Sequence, residues 1–254
     1  MLNIIINADD CGKSRPINNC IQKFIEAGKL TSTTIMANMD DLDGAIALYK
    51  SYQDKISFGI HLNLTEGNPI LHSDILLQKG LYIESSEGIK FNINSYRNRI
   101  LSPTVLNAIE KELDAQIAVL KDFGVKISHI DSHHHIHTGV AFLSLLPRLA
   151  RRHRIYKIRR MRNYIPLTSK INLLCRDTWW WLIKGQFPQI RTTDYFGIYE
   201  DWYETKHLWL QDKKESFLEL MCHPGGVYES ESENLLNTDF LSMKNIKLIS
   251  YNDL

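Results

Sequence analysis

The chain has 254 residues, of which 44% are hydrophobic and 23% charged, a composition ordinary for a globular protein and unlike a disordered one. Lysine plus arginine number 30 against 29 aspartate plus glutamate, so nothing in the overall charge drives it toward nucleic acid or an anionic membrane. It has no apolar run of about 18 residues, no secretory-type start in MLNIIINADD, and no CxxC pairing among Cys11, Cys20, Cys175 and Cys222; a cytoplasmic protein with reduced thiols is expected.

Asn3 to Ala8 is a short β-rich run that reads as buried on both faces. Ser14 then offers an N-cap, Pro16 sits in a first turn, and Ile17, Cys20, Ile21, Phe24 and Ile25 recur at helical spacing before Gly28. Thr31 to Asn38 predicts a second strand, Asp41 to Tyr52 a helix and Ser57 to Leu64 a third strand. That order implies parallel pairing through right-handed crossovers. Residues 67–102, rich in Gly, Ser and Asn, predict an insertion or lid. Pro103 opens the longest helix, with Val105, Ile109, Leu113, Ile117, Leu120 and Phe123 along one stripe and Gly124 at its end. Lys126 to His133 predicts a strand, Val140 to Arg152 a helix and Tyr156 to Arg160 a strand. Residues 161–212 resist assignment. Ser216 to His223 predicts a strand and Ile246 to Tyr251 the last one. With no repeat and no linker, a single α/β domain over 1–254 is expected.

Polar residues gather where the strands end: Asp9 and Asp10, then His61, then His129 to His137 with Asp131, then His223 before Pro224 and Gly225. In parallel α/β folds those ends share one face, and sites form there. Histidine and aspartate together suit a divalent ion such as Zn²⁺, Mn²⁺ or Fe²⁺. Such an ion acidifies water and polarises a carbonyl, a carboxylate takes a proton, and an imidazole returns one to a leaving group. Asp9 and Asp10 point opposite ways along a strand, which suits a division of roles. Period 2 also puts Asp131, His133, His135 and His137 on one side if their strand continues. A lone histidine is most often structural; four within five residues beside an aspartate are costly in a core unless satisfied. His135 and His137 are weak candidates for substrate contact. Arg159, in the basic stretch 148–162, is another, although a solvated face is the default for such a run. His72, His153 and His207 read as surface residues, Cys11 as a buried inert thiol, and at least one of Trp179, Trp180 and Trp181 as exposed.

Asn7-Ala8-Asp9-Asp10-Cys11-Gly12-Lys13-Ser14, Thr31-Ser32-Thr33-Thr34, Gly59-Ile60-His61-Leu62, His129-Ile130-Asp131-Ser132-His133-His134-His135-Ile136-His137 and Cys222-His223-Pro224-Gly225 run in that order. Together they resemble the YdjC-like carbohydrate deacetylases. The resemblance implies a distorted (β/α) TIM-like barrel and one divalent ion on Asp10, His61 and His133. It further implies Asp9 as proton acceptor, His223 as acid, removal of an N-acetyl group from an amino sugar, and a homodimer. The family's usual ion is Mg²⁺, while two imidazoles fit Zn²⁺ better. This chain departs from the family pattern in having Cys11 where Phe is usual and in lacking an evident acidic, arginine-containing helix before the last strand. An acetamido sugar on a lipid or nucleotide fits as well as a chitin fragment. Two other readings stay open: another His/Asp barrel hydrolase, acting on phosphoesters or amides, and a non-catalytic sugar binder.

Overall fold

A computed structural model describes residues 1–86, 88–92, 101–164, 170–209, 215–226 and 229–254. The elements are β1 (Leu2–Cys11), α1 (Arg15–Glu26), β2 (Ser32–Ile35), α2 (Leu42–Tyr52), β3 (Ser57–Leu62), α3 (Asp74–Gln78), β4 (Tyr82–Ser85), β5 (Gly88–Phe91), α4 (Pro103–Asp122) and β6 (Ile130–Ser132). They continue with α5 (Phe142–His153), α6 (Lys170–Gln186), β7 (Tyr195–Ile198), α7 (Tyr199–Trp209), β8 (Ser216–Cys222), α8 (Glu229–Asn237) and β9 (Ile246–Leu248). The main sheet runs β6-β3-β2-β1-β8-β7, all parallel, with β9 joining β1 at Leu2–Ile4. It curls into a half-barrel. Residues 156–164 link its edges: Ile158 bridges to Ile130 of β6, Arg191 donates to the Tyr156 carbonyl (2.7 Å), and Asn163 donates to the Phe196 carbonyl of β7 (3.1 Å). The expectation of a distorted, mainly parallel α/β barrel is borne out.

The two faces of the curl differ in chemistry. Leu2, Ile4, Ile6 and Ala8 of β1 join Phe58, Ile60, Leu62 and the helices in one apolar core. The alternate positions point inward, where Ile5 clusters with Ile249 and Tyr251, flanked by Phe217 and Leu254. Around them lie Asn7, Asp9, Thr34, His61, Asp131, Arg159 and Glu219, all buried and polar. Period 2 therefore sorts β1 into an oily outer face and an ionised inner one.

Helix ends follow the sequence signals. Ser102 caps α4 by accepting from Val105, and Gly28 and Gly124 take positive φ just past α1 and α4. Pro147 inside α5 frees the Leu143 carbonyl, and Gln186 of α6 donates to it instead (2.9 Å).

Several boundaries differ from expectation. The strand predicted over Lys126 to His133 shortens to Ile130–Ser132; its C-terminal end is set where His134 and His135 turn into left-handed backbone (φ 50° and 53°). Tyr156 to Arg160 makes isolated bridges rather than a strand. In 67–102, α3 and the antiparallel β4-β5 pair bury Leu76, Tyr82 and Phe91 in the core; 93–100 lie outside the described residues. An acidic helix, α8, does precede the last strand, with Glu231 buried and no arginine in it. Trp179 and Trp180 are buried while Trp181 is 77% exposed. His153 is held by Asp114 (2.7 Å) rather than free in solvent. The side chains of Cys175 and His207 lie outside the described residues.

Candidate active site

The carboxyl ends of β1, β3, β6 and β8 surround a cavity of about 920 Å³, lined by Asp9, Asp10, His61, His133, His135, Glu200 and His223 among others. At the end of β1 the pairing with β2 is interrupted between Ala8 and Cys11, and Asp10 adopts φ 66°. Positive φ is costly for a residue with a Cβ, and here it sits at the kink that swings the Asp10 carboxylate to the histidines. Asp10 Oδ1 lies 2.9 Å from His133 Nδ1 and 3.4 Å from His61 Nε2. One ligand atom from each of Asp10, His61 and His133 falls within 4.8 Å of the others.

The surroundings of His61 show how this trio fits a cation. His61 Nδ1 lies 2.7 Å from Asp131 Oδ1, whose other oxygen accepts from Thr34 (3.0 Å). A carboxylate accepts only, so Nδ1 donates to Asp131 and Nε2 is the nitrogen that faces Asp10. Asp10 Oδ1 itself is buried and receives no hydrogen bond. Asp10, His61 and His133 thus bring together ligand atoms that could hold a divalent ion, with Lys13 Nζ 3.7 Å from the other Asp10 oxygen. Burial works to lower the His61 pKa, but Asp131 and Asp10 prevail and raise it to about 10. Burial likewise works to raise Asp10, and the His133 and His61 rings beside it hold it well below the carboxylate range instead.

Asp9, His61 and Asp131 form a second acidic group close enough for a cation, but there the positive charge is already present. Arg159 NH1 and NH2 bind the two Asp9 oxygens (2.7 Å each), NH1 also lies 2.8 Å from Asp131, and Nε donates to Glu219 (2.7 Å). From the sequence Arg159 is a weak candidate for substrate contact, with a solvated face as the default, and the structure supports neither. Arg159 is 0% exposed and faces three carboxylates and the ring of Phe196 (4.7 Å), so it lies beneath the cavity and not in it. Burial would raise the Asp9 pKa; Arg159 holds it well below normal, leaving the carboxylate ionised. Glu219 keeps less of that help, and burial pushes it up to about 7. Tyr251 donates to its other oxygen.

His135 lines the cavity, with Nδ1 buried and unpartnered, and burial lowers its pKa to about 3, so it is neutral. His137, the other expected substrate contact, is fully buried behind the site; its Nδ1 is on the Ser132 hydroxyl and its ring packs edge-on to Trp179. The left-handed turn at His134 and His135 ends the strand parity that would have brought His137 round. His223 stands at the opening, its side chain 30% exposed and Nδ1 without a hydrogen-bond partner. Its backbone N–H donates to Glu231 of α8 (2.6 Å). The turn that follows needs Gly225, which has φ +74°; a Cβ there would lie 2.9 Å from Cys20 Sγ. Cys11 is buried, and burial lifts its thiol to about 12, which leaves it unreactive.

The reading of the sequence missed Glu66, Glu200, Glu219 and Tyr251. Tyr251 carried a signal as the end of an apolar run, and Glu219 as the lone acid within the predicted strand Ser216 to His223; Glu66 and Glu200 lie in segments with no spacing to mark them.

Comparison with known proteins identifies the family. The model of one family, described as YdjC-like protein, matches residues 3–246. The chain belongs to that family. This YdjC-like chain is 32% identical over 233 residues to a protein of Oceanobacillus iheyensis named carbohydrate deacetylase, covering 92% of this chain and 90% of that one. It is 27% identical to a Clostridium beijerinckii protein of the same name, with both chains covered in full (100% each). In structure it is similar to an Enterococcus faecalis protein given the provisional description of a cellobiose-phosphate cleavage protein. The TM-score there is 0.74, at 22% identity and with 99% and 98% of the two chains covered, which supports the fold.

Proposed function

We propose that this protein is a metal-dependent carbohydrate deacetylase that hydrolyses the N-acetyl group of an acetamido sugar and releases acetate. The observation that carries this is the convergence of Asp10, His61 and His133 within 4.8 Å on the wall of a cavity that also holds Asp9 and His223. The name shared by the Oceanobacillus and Clostridium relatives supports the same substrate class. Asp10, His61 and His133 would hold one divalent ion, which supplies Lewis-acid polarisation of a carbonyl and a more acidic water. Zn²⁺ suits two imidazoles and a carboxylate, and Mg²⁺ is the family's usual ion.

The chain's own groups then divide the proton work. Asp9, kept ionised by Arg159, takes a proton from the attacking water. His223, on the cavity wall with its side chain 30% exposed and Nδ1 3.9 Å from Glu231, gives one to the departing amine. His135 lines the same wall and offers the substrate a neutral imidazole. Free Cys11, Cys20 and Cys222 suit work in a reducing cytoplasm. Among the described residues no helix is long and apolar enough to cross a membrane.

Acetate release from N-acetylglucosamine, di-N-acetylchitobiose and a nucleotide-linked acetamido sugar tests the reading, with phosphate release from a sugar phosphate as control. Chelator-treated protein should be inactive and recover with Zn²⁺, Mn²⁺ or Mg²⁺. His133→Ala should lose metal binding and acetate release together. Unchanged activity of metal-stripped His133→Ala would refute the mechanism.

A further inference from the structure

Glu66 has no part in the reactions above, yet the loop that carries it, 63–71, is irregular and tightly held. Asn63 Oδ1 accepts from the backbone N–H of Thr65 (3.0 Å) and Glu66 (3.1 Å), and its Nδ2 donates to the Glu66 carbonyl (2.6 Å). Gln116 of α4 donates to the Asn63 carbonyl (2.7 Å) and accepts from its N–H (3.0 Å). Glu112, one turn earlier and fully buried, accepts from the N–H groups of Ile70 (3.0 Å) and Leu71 (2.8 Å). Buried amides and carboxylates are costly unless satisfied. Here their hydrogen bonds jointly fix one stretch of backbone, and so the starting point of the Glu66 side chain.

That side chain reaches the cation site from behind. Glu66 Oε2 lies 2.7 Å from His133 Nε2 and 2.7 Å from Lys13 Nζ. The carboxylate only accepts, so His133 Nε2 carries the proton. With Nε2 held by Glu66, Nδ1 is the nitrogen left to face the cation site, 2.9 Å from Asp10 Oδ1. His61 has the opposite arrangement, with Nδ1 on Asp131 and Nε2 toward Asp10.

We propose that Glu66, anchored by Lys13, is a positioning residue that locks His133 in the tautomer presenting Nδ1 to the cation, while His61 presents Nε2. The inference rests on the cation site of the proposed function and adds to it the nitrogen each histidine uses and the residue that selects it for His133. Glu66 stands on the far side of the ring from Asp10, so it orients a ligand and is not one. Such orienting carboxylates typically change metal affinity by about 10- to 100-fold.

The test is Zn²⁺ titration of the chelator-treated full chain, followed by calorimetry and by long-range ¹H–¹⁵N spectra of its labelled histidines. On Zn²⁺ addition the signals of His133 Nδ1 and His61 Nε2 should move to metal-bound positions while His133 Nε2 stays protonated. Glu66→Ala should weaken Zn²⁺ binding by about 10- to 100-fold. Glu66→Gln, which keeps an acceptor without the charge, should recover part of that loss. Zn²⁺ on His133 Nε2 overturns the proposal, and so does a Glu66→Ala protein with unchanged affinity and wild-type thermal unfolding. If Glu66→Ala does not fold, the wild-type nitrogen assignment and Glu66→Gln still decide. Should Asp10→Ala and His133→Ala bind Zn²⁺ as tightly as wild type, the cation site itself is wrong and both readings fall. Loss of binding there with no effect at Glu66 leaves the function standing and removes only this inference.

Discussion

Replacing Arg159 with methionine is the sharpest single test of how the interior is held together. Its guanidinium is fully buried and meets Asp9, Asp131 and Glu219 at 2.7–2.8 Å, from strands far apart in sequence. Methionine keeps much of the volume and removes the charge, so the loss is electrostatic rather than a cavity. Breaking one buried ion pair by removing a partner costs about 3–5 kcal/mol, because a bare charge is left in a poor solvent. Three carboxylates lose their partner here. The penalty stays near the top of that range and not three times it, because Glu219, already raised to about 7, can take up a proton. A loss of about 4–5 kcal/mol is a large share of the roughly 5–15 kcal/mol that holds a domain folded. For a chain of this length it should lower the melting temperature by about 8–20 °C. Calorimetry with urea titration measures it. Asp9, no longer held ionised, should also carry the acid limb of the pH–rate profile to higher pH. Adding Glu219→Gln should cost less in the Arg159→Met background than in wild type. A loss below about 1 kcal/mol, the scale of an exposed pair, would refute the account of a charge-locked interior.

Other perturbations read other parts of the fold. A Cβ on Gly59 would lie 2.4 Å from the His129 ring, which is itself stacked on Tyr251 at 3.5 Å, so Gly59→Ala should cost about 1–3 kcal/mol. Because the clash is with that ring, adding His129→Ala should remove most of the extra cost, as a double-mutant cycle in urea would show. His129 and His137 are buried and neutral, with pKa values pushed well below 6.5 by desolvation. Below about pH 6.5 the unfolded chain binds protons that the native state refuses, so stability should fall with pH by about 1.4 kcal/mol per unit for each, about 2.7 for the pair. His61, raised to about 10, works in the opposite sense: its contribution in metal-free protein is present below pH 6.5 and lost as pH climbs toward 10. Urea midpoints of chelator-treated protein should therefore peak near neutral pH; a flat profile from pH 5 to 9 would count against both assignments. Asp131→Asn should leave the fold standing but lower metal affinity by about 10- to 100-fold, since it removes the charge behind His61; calorimetry with Zn²⁺ measures that.

The residues legible in the sequence were those whose chemistry is dense or whose spacing is periodic. Asp9-Asp10 at the end of an apolar run and four histidines in five residues mark a site before any fold is known, and parallel topology says they share a face. The inner charges are harder. Arg159 lies in a basic stretch whose neighbours do face outward, and nothing local says that it alone turns inward to carboxylates about 150, 28 and 60 positions away. His137 was misplaced by one assumption, that a strand continues; two left-handed residues end it. Helix α8 was missed because ESESENLLN offers almost no apolar stripe, and it is held partly through Glu231 on the His223 backbone.

These misses share a cause. A sheet buried on both faces has no solvated side to announce polar residues, so an inward carboxylate and an inward isoleucine obey the same period. In β1 the step from Ile5 to Asn7 to Asp9 moves from an apolar floor to a hydrogen-bonded neutral amide to an ion pair at the wall of the cavity within one face of one strand. The gradient follows from burial: charge is tolerable only where a counter-charge or an open cavity is near. Arg159 supplies the first for Asp9, while Asp10 has the open cavity with Lys13 3.7 Å away. The pairing that makes the interior stable therefore keeps Asp9 ionised under the site, and the division of labour between Asp9 and Asp10 is a consequence of where the strand stops being covered.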